Sequence, residues 1–75
     1  MYETRIRALR EDKDLKQKEV ANYLDIPPHT YSNYENGLRS LPLDILVKLA
    51  EFYHTSTDYL LGLTDDPAPP KKKGR

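Results

Sequence analysis

Seventy-five residues without a cysteine allow one small domain and exclude disulfide staples, thiolate metal sites and cysteine nucleophiles together. Twelve Lys and Arg balance twelve Asp and Glu, but unevenly: residues 1–39 carry seven of each sign, residues 40–66 one cation against five acids, and residues 67–75 four cations and no acid. A neutral total therefore permits a nucleic-acid partner for the first half without demanding one.

The first stretch, 2–13, places Tyr2, Ile6 and Leu9 four and three apart among charges, which predicts an amphipathic helix. A second helix is expected over Gln17–Leu24, with Val20 and Leu24 one turn apart and Ala21 beside them. Asp25, Ile26 and Pro27 interrupt it, and Pro28 suits the first turn of a third helix running to Asn36 and stopped by Gly37. Tyr31 and Tyr34 face inward on that helix. After Leu38–Leu41, Pro42 opens a fourth helix whose inward stripe is Ile45, Leu46, Leu49, Ala50 and Tyr53. Ser56 is placed to cap a short fifth helix through Leu61, ended by Gly62. No alternating strand pattern occurs. The domain is expected to span residues 1–64, and 65–75, rich in proline and ending in Lys71, Lys72, Lys73 and Arg75, reads as a disordered basic tail dispensable to the fold.

The informative stretch is Gln17–Asn36: two short helices joined by a tight turn, with small Ala21 where they cross. Pro28, His29, Ser32 and Asn33 are left outward on the second of the two. That face is uncharged and rich in hydrogen-bonding groups, with Lys16, Lys18 and Arg39 as cationic flanks. Groove floors need donors and acceptors while phosphates need cations, so the pattern suits reading of duplex DNA.

The chain resembles the Cro/cI-type, or XRE, family of bacterial and phage helix-turn-helix repressors over 2–63. The resemblance is carried by Leu15-Lys16-Gln17-Lys18-Glu19-Val20-Ala21, Tyr34-Glu35-Asn36-Gly37, the stretch LPLDILVKLAEFY at 41–53, and STDYLLG at 56–62, in that order and spacing. It implies an all-α, five-helix, lambda-repressor-like fold with the helix-turn-helix at helices 2 and 3. It also implies base-reading by Gln17, Pro28, His29, Ser32 and Asn33, phosphate contacts from Lys16, Lys18, Thr30, Asn36 and Arg39, and an Arg10–Glu35 pair tying the first helix to the third. The departures are Asp25, where glycine is usual for a left-handed turn, and Pro27-Pro28, where a capping Ser or Thr and a polar reader are common. Pro28 can offer only shape or methyl contacts.

The apolar Tyr59, Leu60, Leu61 and Leu63 exceed what so small a domain easily buries. Tyr59, Leu60 and Leu63 are therefore expected at a homodimer contact, matching a palindromic operator. His29 and His54 lack metal-ligand spacing, and there is no Ser-His-Asp set, phosphate loop or carboxylate pair, so neither an enzyme nor a cofactor is expected. No apolar run approaches the roughly 20 residues of a bilayer span, and MYETRIRALRED is too polar for a signal sequence, so no membrane partner is expected. The combined expectation is a cytoplasmic transcriptional repressor, encoded by a bacterium or phage, binding duplex DNA. The alternative is the same helices serving as a protein-interaction or antitoxin module. Seventy-five residues leave no room for a ligand-sensing domain, so an inducer would have to act through another protein, proteolysis or competition.

Overall fold

A computed structural model describes residues 4–70, and among them five helices follow in chain order: α1 Ile6–Asp12, α2 Gln17–Leu24, α3 Pro28–Glu35, α4 Leu43–Phe52 and α5 Thr57–Leu60. The fold is all-α, as the residue pattern implies. Local chemistry sets most boundaries. The Glu19 carboxylate accepts the Lys16 backbone N–H at 2.7 Å, satisfying a donor at the start of α2. Asp25 ends that helix in the left-handed region, φ 60 and ψ 43, so the turn expected to need glycine is made by an aspartate. Pro28 takes the first position of α3, where its missing N–H costs nothing, after Pro27 in an extended conformation. Gly37, at φ 75, turns the chain out of α3. The Ser56 hydroxyl accepts the Tyr59 N–H at 3.0 Å and caps α5.

The start of α1 differs from the expected helix over 2–13. It begins at Ile6 because the Arg5 N–H pairs with the Leu60 carbonyl at 2.8 Å, which takes the residue before α1 to the end of α5. Tyr2, counted in the inward stripe, lies outside the described residues.

The core gathers Ile6, Val20, Ala21, Leu24, Tyr31, Ile45, Leu46, Leu49, Ala50, Tyr53 and Leu60, with Leu9, Leu15, Ile26, Tyr34 and Leu41 partly buried around it. Ala21 has no exposed surface, consistent with α2 and α3 approaching closely there. Leu60 corrects the sequence-based expectation. At 0% exposure it closes the chain's own core beside Ile6, so it is unavailable to a subunit contact. Tyr59 is half-buried and carries the Arg5 guanidinium 4.4 Å above its ring. Of the three expected contact residues, Leu63 alone is well exposed, at 60%.

Past residue 64 the chain keeps touching the helices. Arg5 donates to the Thr64 carbonyl at 3.2 Å and to Asp65 Oδ1 at 2.9 Å, and the Thr55 hydroxyl donates to the Pro67 carbonyl at 2.7 Å. Asp65 is wholly exposed, so its pairing with Arg5 contributes little. Thr55 is buried, and its hydroxyl would otherwise lack a partner. The cluster Lys71–Lys73 and Arg75 lies outside the described residues.

A buried ion pair ties α1 to α3. Arg10 of α1 grips Glu35 of α3 through two hydrogen bonds, Nε to Oε2 at 2.6 Å and Nη2 to Oε1 at 3.2 Å, while its Nη1 donates to the Leu15 carbonyl at 2.8 Å. Gln17 Nε2 of α2 donates to the same Oε1 at 3.0 Å. Glu35 keeps 1% of its side-chain exposure and Arg10 12%. Burial alone would push the Glu35 pKa up; hydrogen bonds from Arg10 and its neighbours, with the Arg10 charge, outweigh it and hold the carboxyl below its ordinary value. The hydrogen bond to Glu35 in turn raises Arg10. Burial, with Glu35 nearby, raises the Tyr31 phenol and pushes Tyr53 up to about 12. Both phenol oxygens are buried without a hydrogen-bond partner.

Truncation after Asp66 removes the hydrogen bond from Thr55 to Pro67 and should cost on the order of 1 kcal/mol, lowering Tm by roughly 4–8 °C for a domain this small. Truncation after Pro70 should not, and Thr55→Val should remove the difference; thermal melts of the four chains decide. For the buried pair, Arg10→Met with Glu35 intact should cost about 3–5 kcal/mol, and Arg10→Met with Glu35→Leu far less, because only the single change strands a charge. Additive, small penalties in denaturant unfolding would reduce the pair to a surface contact. The sign with pH follows from the depressed Glu35 pKa: its contribution is complete above the unfolded value of about 4.3 and is lost as pH falls through the folded one. Glu35→Gln should flatten that part of the acid-unfolding curve.

Candidate nucleic-acid interface

The outward side of α3 is built by the same register that buries its other side. At about 100° per residue, Pro28, His29, Ser32, Asn33 and Asn36 fall within roughly 140° of the helix circumference, opposite Tyr31 and Tyr34. Pro28, His29 and Asn36 are exposed, and Ser32 and Asn33 half-buried, while Tyr31 has no exposed surface. The face carries no formal charge. Among the described residues its polar groups are partly preset: Asn36 Nδ2 donates to Ser32 Oγ at 3.3 Å, one turn apart. Thr30 is half-buried towards the side of the helix, its N–H engaged by the Pro27 carbonyl at 3.0 Å.

The cations expected around this face are in the open. Lys16 and Lys18, at the start of α2, are exposed, and so is Arg39 in the loop after α3. That loop is held to the helix: the Leu38 and Arg39 N–H groups both reach the Asn33 carbonyl, at 2.9 and 3.3 Å. Asn33 thus presents its side chain on the outward face while its carbonyl anchors the segment that carries Arg39. The loop also borders a cavity of about 240 Å³ lined by Thr4, Tyr34, Gly37, Arg39, Ser40, Leu41 and Leu61.

Gln17 occupies a different position from the other sequence-selected readers. It is half-buried at the first turn of α2, and its amide nitrogen is committed to Glu35. Residue spacing does not disclose this bond, because it joins positions 18 apart on two helices. The role of Arg5 was equally invisible in the sequence, where it counted only as one charge among seven. His29 and His54 are not joined into a ligand set, and among the described residues no group of three His, Cys, Asp or Glu is placed to hold a metal ion. No described helix is long and apolar enough to cross a membrane.

Comparison with known proteins places this geometry. The helix-turn-helix family model matches residues 6–60, from the start of α1 to the end of α5. An uncharacterized HTH-type transcriptional regulator of Bacillus subtilis, YobD, is 45% identical over 69 residues, covering 92% of this chain and 62% of that protein. The cryptic phage CTXphi transcriptional repressor RstR of Vibrio cholerae is 45% identical over 53 residues, 71% of this chain and 48% of RstR. The HTH-type transcriptional regulator ImmR of Bacillus subtilis is 43% identical over 58 residues, 77% of this chain and 46% of ImmR. The chain thus spans between about half and three-fifths of these relatives. With its two crossing helices, buried Ala21 and polar outward face all inside the matched region, the chain belongs to the helix-turn-helix family.

Proposed function

We propose that this chain binds duplex DNA sequence-specifically as a transcriptional repressor, inserting α3 into the major groove. The observation that carries the reading is the composition of the outward face of α3: hydrogen-bonding but uncharged, on a helix whose other side buries Tyr31 completely and Tyr34 partly, with exposed Lys16 and Lys18 at the start of α2 and exposed Arg39 in the loop after α3. Bases are read by donors and acceptors, and phosphates are held by cations. The relative named as a phage repressor supports repression, which needs only occupancy of a promoter.

The roles divide accordingly. His29, Ser32 and Asn33 face base edges, Pro28 supplies shape, and Lys16, Lys18, Thr30, Asn36 and Arg39 hold the backbone. The protein acts as a homodimer on a palindromic operator, with Leu63 at the contact between copies and Tyr59 at its margin. A two-fold contact after α5 lies far along the chain from α3 and could set two recognition helices about 34 Å apart, one turn of DNA. The protein acts in the cytoplasm and needs no cofactor.

Selection from a random duplex pool tests the reading: an enriched palindrome is expected, and no enrichment over bulk DNA would sink it. On the selected site, Asn33→Ala should abolish preference at one base pair per half-site, a loss of roughly 1–3 kcal/mol in discrimination. Arg39→Ala should weaken all sequences alike and lower the salt slope by about one unit. Leu63→Asp should shift sedimentation to monomer and weaken a two-half-site operator far more than a single half-site; an unchanged dimer would move the interface elsewhere.

A further inference from the structure

The chain has three asparagines, and only one of them precedes a glycine: Asn36-Gly37, at the end of α3. The side-chain carbonyl carbon of an asparagine lies within one ring closure of the next residue's backbone nitrogen. Glycine offers that nitrogen best, because no Cβ obstructs its approach. Asn22 and Asn33 are each followed by a tyrosine, and both dipeptides lie inside helices, α2 and α3.

The surroundings of Asn36 leave it open to this chemistry. It is exposed, just past the last residue of α3, and its side chain makes one hydrogen bond among the described residues, Nδ2 to Ser32 Oγ at 3.3 Å. The Gly37 N–H reaches the Tyr34 carbonyl at 3.4 Å, the longest of the backbone bonds that close turns and helix ends among the described residues. Ring closure requires the Asn36 ψ to leave its value of −1°, a rotation that fraying of a terminal turn allows at little free-energy cost.

We propose that Asn36-Gly37 is a site of spontaneous deamidation whose product releases the protein from DNA. The proposal rests on the DNA-binding reading above. The Gly37 nitrogen gives its proton to hydroxide and bonds to Asn36 Cγ; the Cγ–Nδ2 bond breaks, and Nδ2 takes a proton from water and leaves as ammonia. Water then opens the cyclic imide at either carbonyl, leaving aspartate or isoaspartate at position 36. In sum, an amide and water become a carboxylate and ammonium, with no change of oxidation state. The outward face of α3, which carries no formal charge, thereby gains a negative one, a turn from Ser32 and ahead of the loop bearing Arg39. A carboxylate there repels the phosphates assigned to Asn36 and Arg39. Isoaspartate also lengthens the backbone just before the segment anchored on the Asn33 carbonyl. Bound DNA covers Asn36, so the unoccupied protein is the species that ages.

Ageing the DNA-free protein at mildly alkaline pH, with peptide mass spectrometry, tests the chemistry. Conversion of amide to acid is expected at Asn36 alone, with isoaspartate detected by enzymatic methylation, faster as pH rises and slower with the selected duplex present. Asn36→Gln should stay unchanged over the same period, because its longer side chain closes a larger ring. Aged protein, separated from fresh by ion exchange, should bind the selected duplex roughly tenfold or more weakly. Asn36→Asp should show the same loss with its helical circular dichroism intact, which separates the charge from damage to the fold.

Aged protein whose Asn36 keeps its amide, or whose conversion falls on Asn22 or Asn33 instead, would overturn the site. Aged protein and Asn36→Asp that bind as tightly as fresh wild type would overturn the release. A fresh wild type that selects no duplex would overturn the DNA-binding reading and the release with it, while the mass readout decides the deamidation by itself.

Discussion

One carboxylate holds the first three helices together. Glu35 Oε1 and Oε2 receive Arg10 from α1 and Gln17 from α2 while the residue itself belongs to α3, so the first three helices meet at a single buried charge. A buried carboxylate is tolerable only when paired and hydrogen-bonded, and this one is both. Removing one partner exposes the cost of the charge, whereas the apolar contacts around Tyr31 and Ala21 degrade gradually. The pair therefore specifies one relative placement of the three helices more sharply than packing among small and aliphatic side chains could.

That division of labour explains why α3 can afford so polar an outer face. An isolated eight-residue helix with two prolines before or at its start and no strong helix formers outside would not be stable in water. Its stability comes from tertiary contacts: Tyr31 without exposed surface, Tyr34 partly buried, and Glu35 anchored below. The outward residues are thereby released from stabilising the helix and can be chosen for what they hydrogen-bond. The Asn33 carbonyl, tied to the loop bearing Arg39, extends the same rigidity beyond the helix end.

A second set of contacts joins the two ends of the domain. Arg5 pairs its backbone with Leu60, stacks on Tyr59 and reaches Thr64 and Asp65, and Thr55 holds Pro67. Much of the apolar surface after residue 58 is thus used within the chain, leaving Leu63 as the conspicuous exposed apolar side chain there. A subunit contact in this region would have to be small and centred on that residue.

Much was determined by the sequence alone, because helix periodicity and turn chemistry act over three or four residues. The limits of α2 and the start of α5, the left-handed Asp25 and Gly37, the inward Tyr31 and the stripe of α4 all follow from near neighbours. So did the outward row on α3, since it is the complement of the buried one. The Arg10–Glu35 pair was legible only through resemblance to a family, because nothing local links positions 25 apart. What only the tertiary structure decided were the choices among equivalent groups. Leu60 is buried and Leu63 exposed, though the two leucines stand only three residues apart, at the end of α5 and just past it. Gln17 gives its nitrogen to a carboxylate, and Thr55 finds a prolyl carbonyl twelve residues on, beyond α5. Periodicity tells which face is covered; it cannot tell which distant group does the covering, and that depends on where the folded chain brings its partners together.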